Sequence, residues 1–107
     1  MMEELARRAI ACDRWRWLPG MLALDTGLRL DEVTDDWEAE LPDLEDPATL
    51  GCLLALVREA WGDPCLHIGL LPARWGVWTS QNMPLHECVG KGLTEAEALV
   101  AALEAAP

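Results

Sequence analysis

Two short patterns mirror each other in this chain: Cys65-x-His67 and His86-x-Cys88. On a strand, residues i and i+2 point to one face. Two such pairs on neighbouring strands would gather two thiolates and two imidazoles, a soft donor set suited to Zn2+. Two considerations weigh against it. A further strand over residues 74–79 is expected to run between the pairs, and structural zinc sites usually place Cys on tight knuckles. Buried thiols and ordinary imidazoles account for the same residues, so no metal or cofactor is assigned.

Nucleophilic catalysis needs a nucleophile beside a base. Ser80 is the only Ser, and neither His stands at a recognisable spacing from it. Cys12, Cys52 and Cys88 carry no nucleophile signature. Gly90-Lys91-Gly92 is too short to cradle a phosphate. With these catalytic roles unfilled, we expect a protein that is not an enzyme.

Two binding constellations remain. The first is acidic. Asp31, Glu32, Asp35, Asp36, Glu38, Glu40, Asp43, Glu45 and Asp46 follow one another with no Lys or Arg between them. Spaced carboxylates on a small rigid domain can imitate a phosphate backbone and occupy a basic groove on a nucleic-acid enzyme. Asp35, Asp36, Glu38 and Glu40, with Trp37 as apolar anchor, are the expected contact residues for a protein partner. Acidity that serves only solubility is the plain alternative. The second constellation is aromatic. Trp15-Arg16-Trp17, together with Trp75 and Trp78, could stack a nucleobase while Arg16 meets a phosphate. Trp15, Arg16, Trp17 and Trp78 thus define a small-ligand alternative. Against it, the chain has six Trp and no Phe or Tyr, so Trp must also build the core.

The whole chain has 107 residues, enough for one domain with one core, and 51% are hydrophobic. Its net charge of −11 opposes phosphate-mediated binding of nucleic acid and of anionic membranes, and it suits a basic protein partner. Half of the Lys and Arg (Arg7, Arg8, Arg14, Arg16) lie in the first sixteen residues, opposite in sign to the acidic run. The N-terminal residues show no signal peptide or transmembrane run. The four Cys form no CxxC pair, which reads as reduced thiols in a cytoplasm.

These residues need elements to hold them. The clearest is a helix over residues 46–61. Asp46 is a good N-cap, Pro47 suits the first helical position, and Gly62 with Pro64 stops the helix. Leu50, Leu53, Leu54, Val57 and Trp61 line one face. The other face carries Gly51, Cys52, Ala55, Leu56 and Ala60, with no charge from Pro47 through Val57. A helix apolar all round is normally buried all round. We therefore expect it to lie on a sheet and to be covered by another helix or a second copy of the chain. Gly51 would serve close backbone packing.

Residues 3–13 read as a first helix with Glu3–Arg7 and Glu4–Arg8 pairs on its surface. Leu22 and Leu24, then Leu28 and Leu30, alternate about Asp25-Thr26-Gly27 as a β-hairpin. Strands are expected over 65–70, 74–79 and 85–89, the last broken by Gly90-Lys91-Gly92. Thr94 opens a final helix, with Glu97 completing a capping box and Ala96, Leu99, Val100 and Leu103 on its buried face. The order α-β-β-α-β-β-β-α with short connections gives an α+β domain: three helices and a mostly antiparallel sheet of about five strands.

Three blocks, CDRWRWLPGM (12–21), LPDLEDPATLGCLLALVREAWGDP (41–64) and GLTEAEALVAAL (92–103), resemble small proteins of bacteriophages and prophages grouped under a phage "ABA sandwich" domain. The resemblance covers most of the chain, and its middle block is the most specific. It implies an alpha–beta–alpha layered sandwich and a phage or prophage origin, hence residence in the host cytoplasm. It implies no activity and no catalytic residue. A non-enzymatic accessory protein that binds another protein, with possible self-association through its helices, is the function expected; anti-defence or nucleic-acid mimicry is the role such acidity suggests.

Overall fold

The computed structural model describes residues 2–31, 40–79 and 88–107. The chain is α+β, with helices α1 (Met2–Ile10), α2 (Pro47–Trp61) and α3 (Glu95–Ala105). Strands β1 (His67–Leu70), β2 (Trp75–Trp78) and β3 (Cys88–Gly92) form one antiparallel sheet in the order β1-β2-β3. No helix among the described residues is long and apolar enough to cross a membrane.

Among the described residues the sheet has three strands where about five were expected. The predicted hairpin is present but stays outside the sheet. Its arms join through Leu30 N–H to Met21 O and Ala23 N–H to Leu28 O, and a third segment joins the first arm, with Leu24 N–H donating to Leu41 O and Asp43 N–H to Leu22 O. Each arm is too short to propagate a ladder, so only isolated bridges form, Leu22 with Arg29 and Ala23 with Pro42. Met21, Ala23, Leu30, Leu41 and Leu44 of this ribbon are all buried.

The limits of α2 follow its sequence signals. The Asp46 carboxylate accepts from Thr49 N–H, and Pro47 begins the helix. Gly62 adopts φ 62°, the left-handed conformation that only a residue without Cβ adopts freely. Its N–H and that of Asp63 return to Glu59 O and Arg58 O, a Schellman motif that satisfies the last carbonyls.

Two expectations about α2 are not met within the described residues of one chain. Thr49, Leu53, Leu56, Val57 and Ala60 are buried, but Ala48, Gly51, Ala55 and Glu59 are exposed, so no other described helix of the chain covers that face. Among the described residues, nothing lies within 4 Å of the place a Gly51 Cβ would take, so Gly51 serves no close approach to them. Nor is α2 the helix that lies on the sheet. That position belongs to α3, which packs on β2 and β3 and is also touched by α1 and α2.

The reason is side-chain size. Gly90 and Gly92 belong to β3, whereas the sequence reading had them break the strand. They face Ala98 and Ala102 of α3. A Cβ on Gly90 would meet the Ala98 carbonyl oxygen and come within 2.7 Å of Ala102 N; one on Gly92 would meet Glu97 Cβ and come within 2.7 Å of Ala98 N. Only glycine on one surface and alanine on the other let backbones approach this closely. The larger side chains of α2 could not. Thr94 caps α3 by accepting from Glu97 N–H, while Glu97 reaches back to Leu93 N–H, one residue before the N-cap amide of the usual capping box.

Val77, Ile68 and Gly90 lie level with one another on the α3 side of the sheet, because paired residues share a face. A bulge between Val77 and Trp78 shifts the last pairing, so that Trp78 stands opposite Cys88. His67, Gly69, Gly76, Trp78, Cys88 and Lys91 consequently share the face turned away from α3.

Candidate functional site

The aromatic constellation divides in two. After α1 a turn is closed by Trp15 N–H to Cys12 O, and the chain then runs past α2. Trp17 is buried, and Trp15 meets it edge-on at 5.8 Å between ring centroids with planes 79° apart. This T-shaped contact is how aromatic rings pack in a core. The Trp15 Nε1 is buried without a hydrogen-bond partner.

Arg16 turns outward and both of its terminal nitrogens reach the Glu59 carboxylate at 2.7 Å, a two-pronged pair between the entry segment and α2. The same hydrogen bonds raise the Arg16 guanidinium above its usual range and lower the Glu59 carboxyl. A cavity of about 180 Å3 lies beside this pair, lined by Asp13, Trp15, Arg16, Leu56 and Glu59. Trp15, Arg16 and Trp17 are thus together, but the guanidinium is already engaged by a carboxylate. Trp78 is not with them; it lies on the sheet face away from α3.

The other N-terminal cations are engaged in the same manner. Arg7 pairs with Glu3 at 2.5 Å and Arg8 with Glu104 at 2.6 Å. Arg14 donates to Pro107 O at 2.9 Å. The basic cluster read from the sequence is largely neutralised by the protein's own acceptors. A cavity of about 340 Å3 borders it, lined by Arg8, Cys12, Arg14, Leu103 and Glu104 among others. The Cys12 thiol there is pushed up by burial, with Glu104 adding to it, which keeps it from being a ready nucleophile.

The acidic constellation is anchored at both ends on the ribbon. Leu30, next to Asp31, pairs with Met21; Leu41, next to Glu40, pairs with Leu24. Asp35, Asp36, Trp37 and Glu38 lie outside the described residues; Glu40 is half-buried and Asp31 exposed. At the end of the run, Asp46 receives both Arg29 nitrogens (2.9 and 3.0 Å) and the amide and hydroxyl of Thr49 (2.9 Å each). The Arg29 hydrogen bonds, with Thr49 assisting and loss of hydration opposing, hold the Asp46 carboxyl well below its usual range. Among the described members of the run, Asp46 alone is in an ion pair; Asp31, Glu40, Asp43 and Glu45 have no cation against them.

Of the mirrored Cys/His pairs, the described members Cys65, His67 and Cys88 form no metal-binding group. His86 lies outside the described residues. Cys65 is exposed before β1, and β2 runs between β1 and β3 as the sequence reading anticipated. Trp78 therefore stands between His67 and Cys88, each its partner across one edge of β2. No group of three or more potential metal ligands is gathered among the described residues.

What sequence reasoning missed is the composition of the sheet's outer face. The Trp78 indole lies over Gly76 and Gly69: ideal Cβ positions there fall 2.6 and 3.4 Å from its ring carbons. The His67 ring stacks against it, with centroids 5.7 Å and planes 22° apart. The i,i+2 spacing of Gly76 and Trp78 was the available signal. Comparison with known proteins finds no matching family model, no matching curated protein and no matching solved structure.

Proposed function

We propose that the protein is a non-enzymatic accessory protein that binds a basic protein partner through the acidic segment between Asp31 and Glu45. The observation that carries this reading is the distribution of paired charge. The described arginines near α1 and α2 are engaged by the protein's own acceptors, while the described carboxylates of the run before Asp46 have no cation against them. The field that reaches an incoming protein is therefore that of the acidic run. Such a field speeds association and selects partners of opposite sign. Its anchoring on a hydrogen-bonded ribbon presents the carboxylates from a fixed base, as mimicry of a phosphate backbone requires. Trp37 is the apolar anchor of the contact. The likeness of three sequence blocks to phage and prophage proteins of the ABA sandwich type supports a phage origin, action in the host cytoplasm and a role against host defences. Self-association through the exposed face of α2 is compatible with the same reading.

The test is a pull-down of the intact protein beside a variant carrying Asp35→Asn, Asp36→Asn, Glu38→Gln and Glu40→Gln. Recovery of a basic nucleic-acid enzyme by the intact protein alone is expected, with loss at high salt. Screening shortens from about 10 Å at 0.1 M to about 3 Å at 1 M ionic strength, so a contact of this kind should not survive the change. Equal recovery by both proteins would refute the reading.

A further inference from the structure

The outer face of the sheet differs in charge from the rest of the chain. The strands contain none of the nineteen carboxylates, and their only formal charge is Lys91. From Pro64 through Thr79 no acid occurs, and Arg74 is the one charged residue. In a chain of net charge −11 this is a local reversal of sign.

The face is also aromatic. Gly69 and Gly76 weaken the strands that carry them, since glycine packs nothing and costs entropy. Gly90 and Gly92 are explained by the backbone of α3, but Gly69 and Gly76 point to the opposite face. What occupies that space is the Trp78 ring, laid down over both of them. Trp78 is half-buried, so part of the indole remains open to solvent, and the His67 ring stacks against it, offset, with centroids 5.7 Å apart. Lys91 stands directly opposite Gly76 and is exposed, so its cation belongs to the same face as the indole.

We propose that this face, formed by Trp78, His67 and Lys91, binds a nucleoside 5′-monophosphate, the base stacked on Trp78 and the phosphate met by Lys91. Every base has a π-face that an aromatic ring can accept, and one phosphate asks for one cation. A polynucleotide is disfavoured, because successive phosphates would enter the field of the acidic remainder. The proposal uses no residue of the Arg16–Glu59 pair or of the acidic run, so the protein-binding reading can fail while this one stands.

Adenosine 5′-monophosphate, adenosine, ribose 5-phosphate and a short single-stranded oligodeoxyadenylate would be titrated into the full chain by calorimetry. Wild type should bind the monophosphate saturably, more tightly than adenosine, with ribose 5-phosphate weaker than either. Trp78→Leu should weaken the monophosphate and adenosine about tenfold or more, the scale of one lost base–aromatic stack. Lys91→Glu keeps the aromatic rings and should weaken the monophosphate while leaving adenosine unchanged, which separates loss of the site from loss of fold. Absence of saturable binding at millimolar monophosphate overturns the proposal, as does binding unaffected by both variants. Tighter binding of the oligonucleotide than of the monophosphate overturns the single-nucleotide assignment, and a concentration-dependent dimer abolished by Trp78→Leu overturns it in favour of a second copy.

Discussion

Replacing Gly51 with Ala tests the surprising exposure of α2 in a single experiment. Gly51 lies inside a fifteen-residue helix, is solvent-exposed, and has open space where its Cβ would be. The added methyl meets no atom, so the effect reduces to helix propensity and the entropy of the unfolded chain. Alanine is favoured over glycine in a helix interior by about 1 kcal/mol. For a domain near 100 residues that corresponds to a rise in Tm of roughly 4–8 °C. Circular dichroism melts of both proteins over a range of concentrations would measure it. A lower Tm for Gly51→Ala would refute the reasoning, because it would mean the position is packed against something. If that something were a second copy, the loss would appear together with a concentration-dependent Tm.

The same substitution at Gly90 should act oppositely: its methyl must displace the α3 backbone at Ala98 and Ala102, and overpacking of this kind costs about 1–3 kcal/mol, read in a urea melt. At Asp46 the cap and the ion pair separate. Asp46→Ala should cost about 1 kcal/mol of cap energy, whereas Asp46→Asn keeps a good cap and loses only the Arg29 pair. Because the Asp46 carboxyl is lowered in the fold, its contribution is complete above the ordinary value of 3.8 and is lost as pH falls below that; the urea midpoint of wild type should therefore drop more steeply below about pH 4 than that of Asp46→Asn. Among the described residues, Cys65 is the exposed thiol, and burial raises Cys12 and Cys52, so brief iodoacetamide treatment should label Cys65 first in a peptide map.

Local signals were legible where one residue type has one local consequence. Asp46, Pro47 and Gly62 bounded α2, and Thr94 began α3, because capping depends on the nearest few amides. Strands β1 and β2 and their antiparallel pairing were legible from alternation and turn residues, whereas β3 lies further along than expected because Gly90 and Gly92 belong to it. What failed was the choice of which helix meets the sheet. Apolar composition marks α2 as buried, but proximity to the sheet was decided by the match of Gly90 and Gly92 with Ala98 and Ala102, a relation between two segments. The engagement of Arg16 was not legible either. Nothing near Arg16 in the sequence shows that Glu59, on another element, takes its guanidinium. Trp78 was named as a platform residue, but its true neighbours, His67 and Lys91, come from the pairing of three strands.

The glycine–alanine seam between β3 and α3 also bears on how the chain folds. Only Leu93 and Thr94 separate the two elements, so their docking closes a very short loop and costs little chain entropy. The Arg8–Glu104 contact, by contrast, joins residues 96 positions apart. We expect the seam to form in the rate-limiting ensemble and α1 to dock after it. Gly90→Ala should then slow refolding in stopped-flow experiments, whereas Ala9→Gly in α1 should mainly speed unfolding. Equal partition of both effects between the two rates would show that the seam has no such priority.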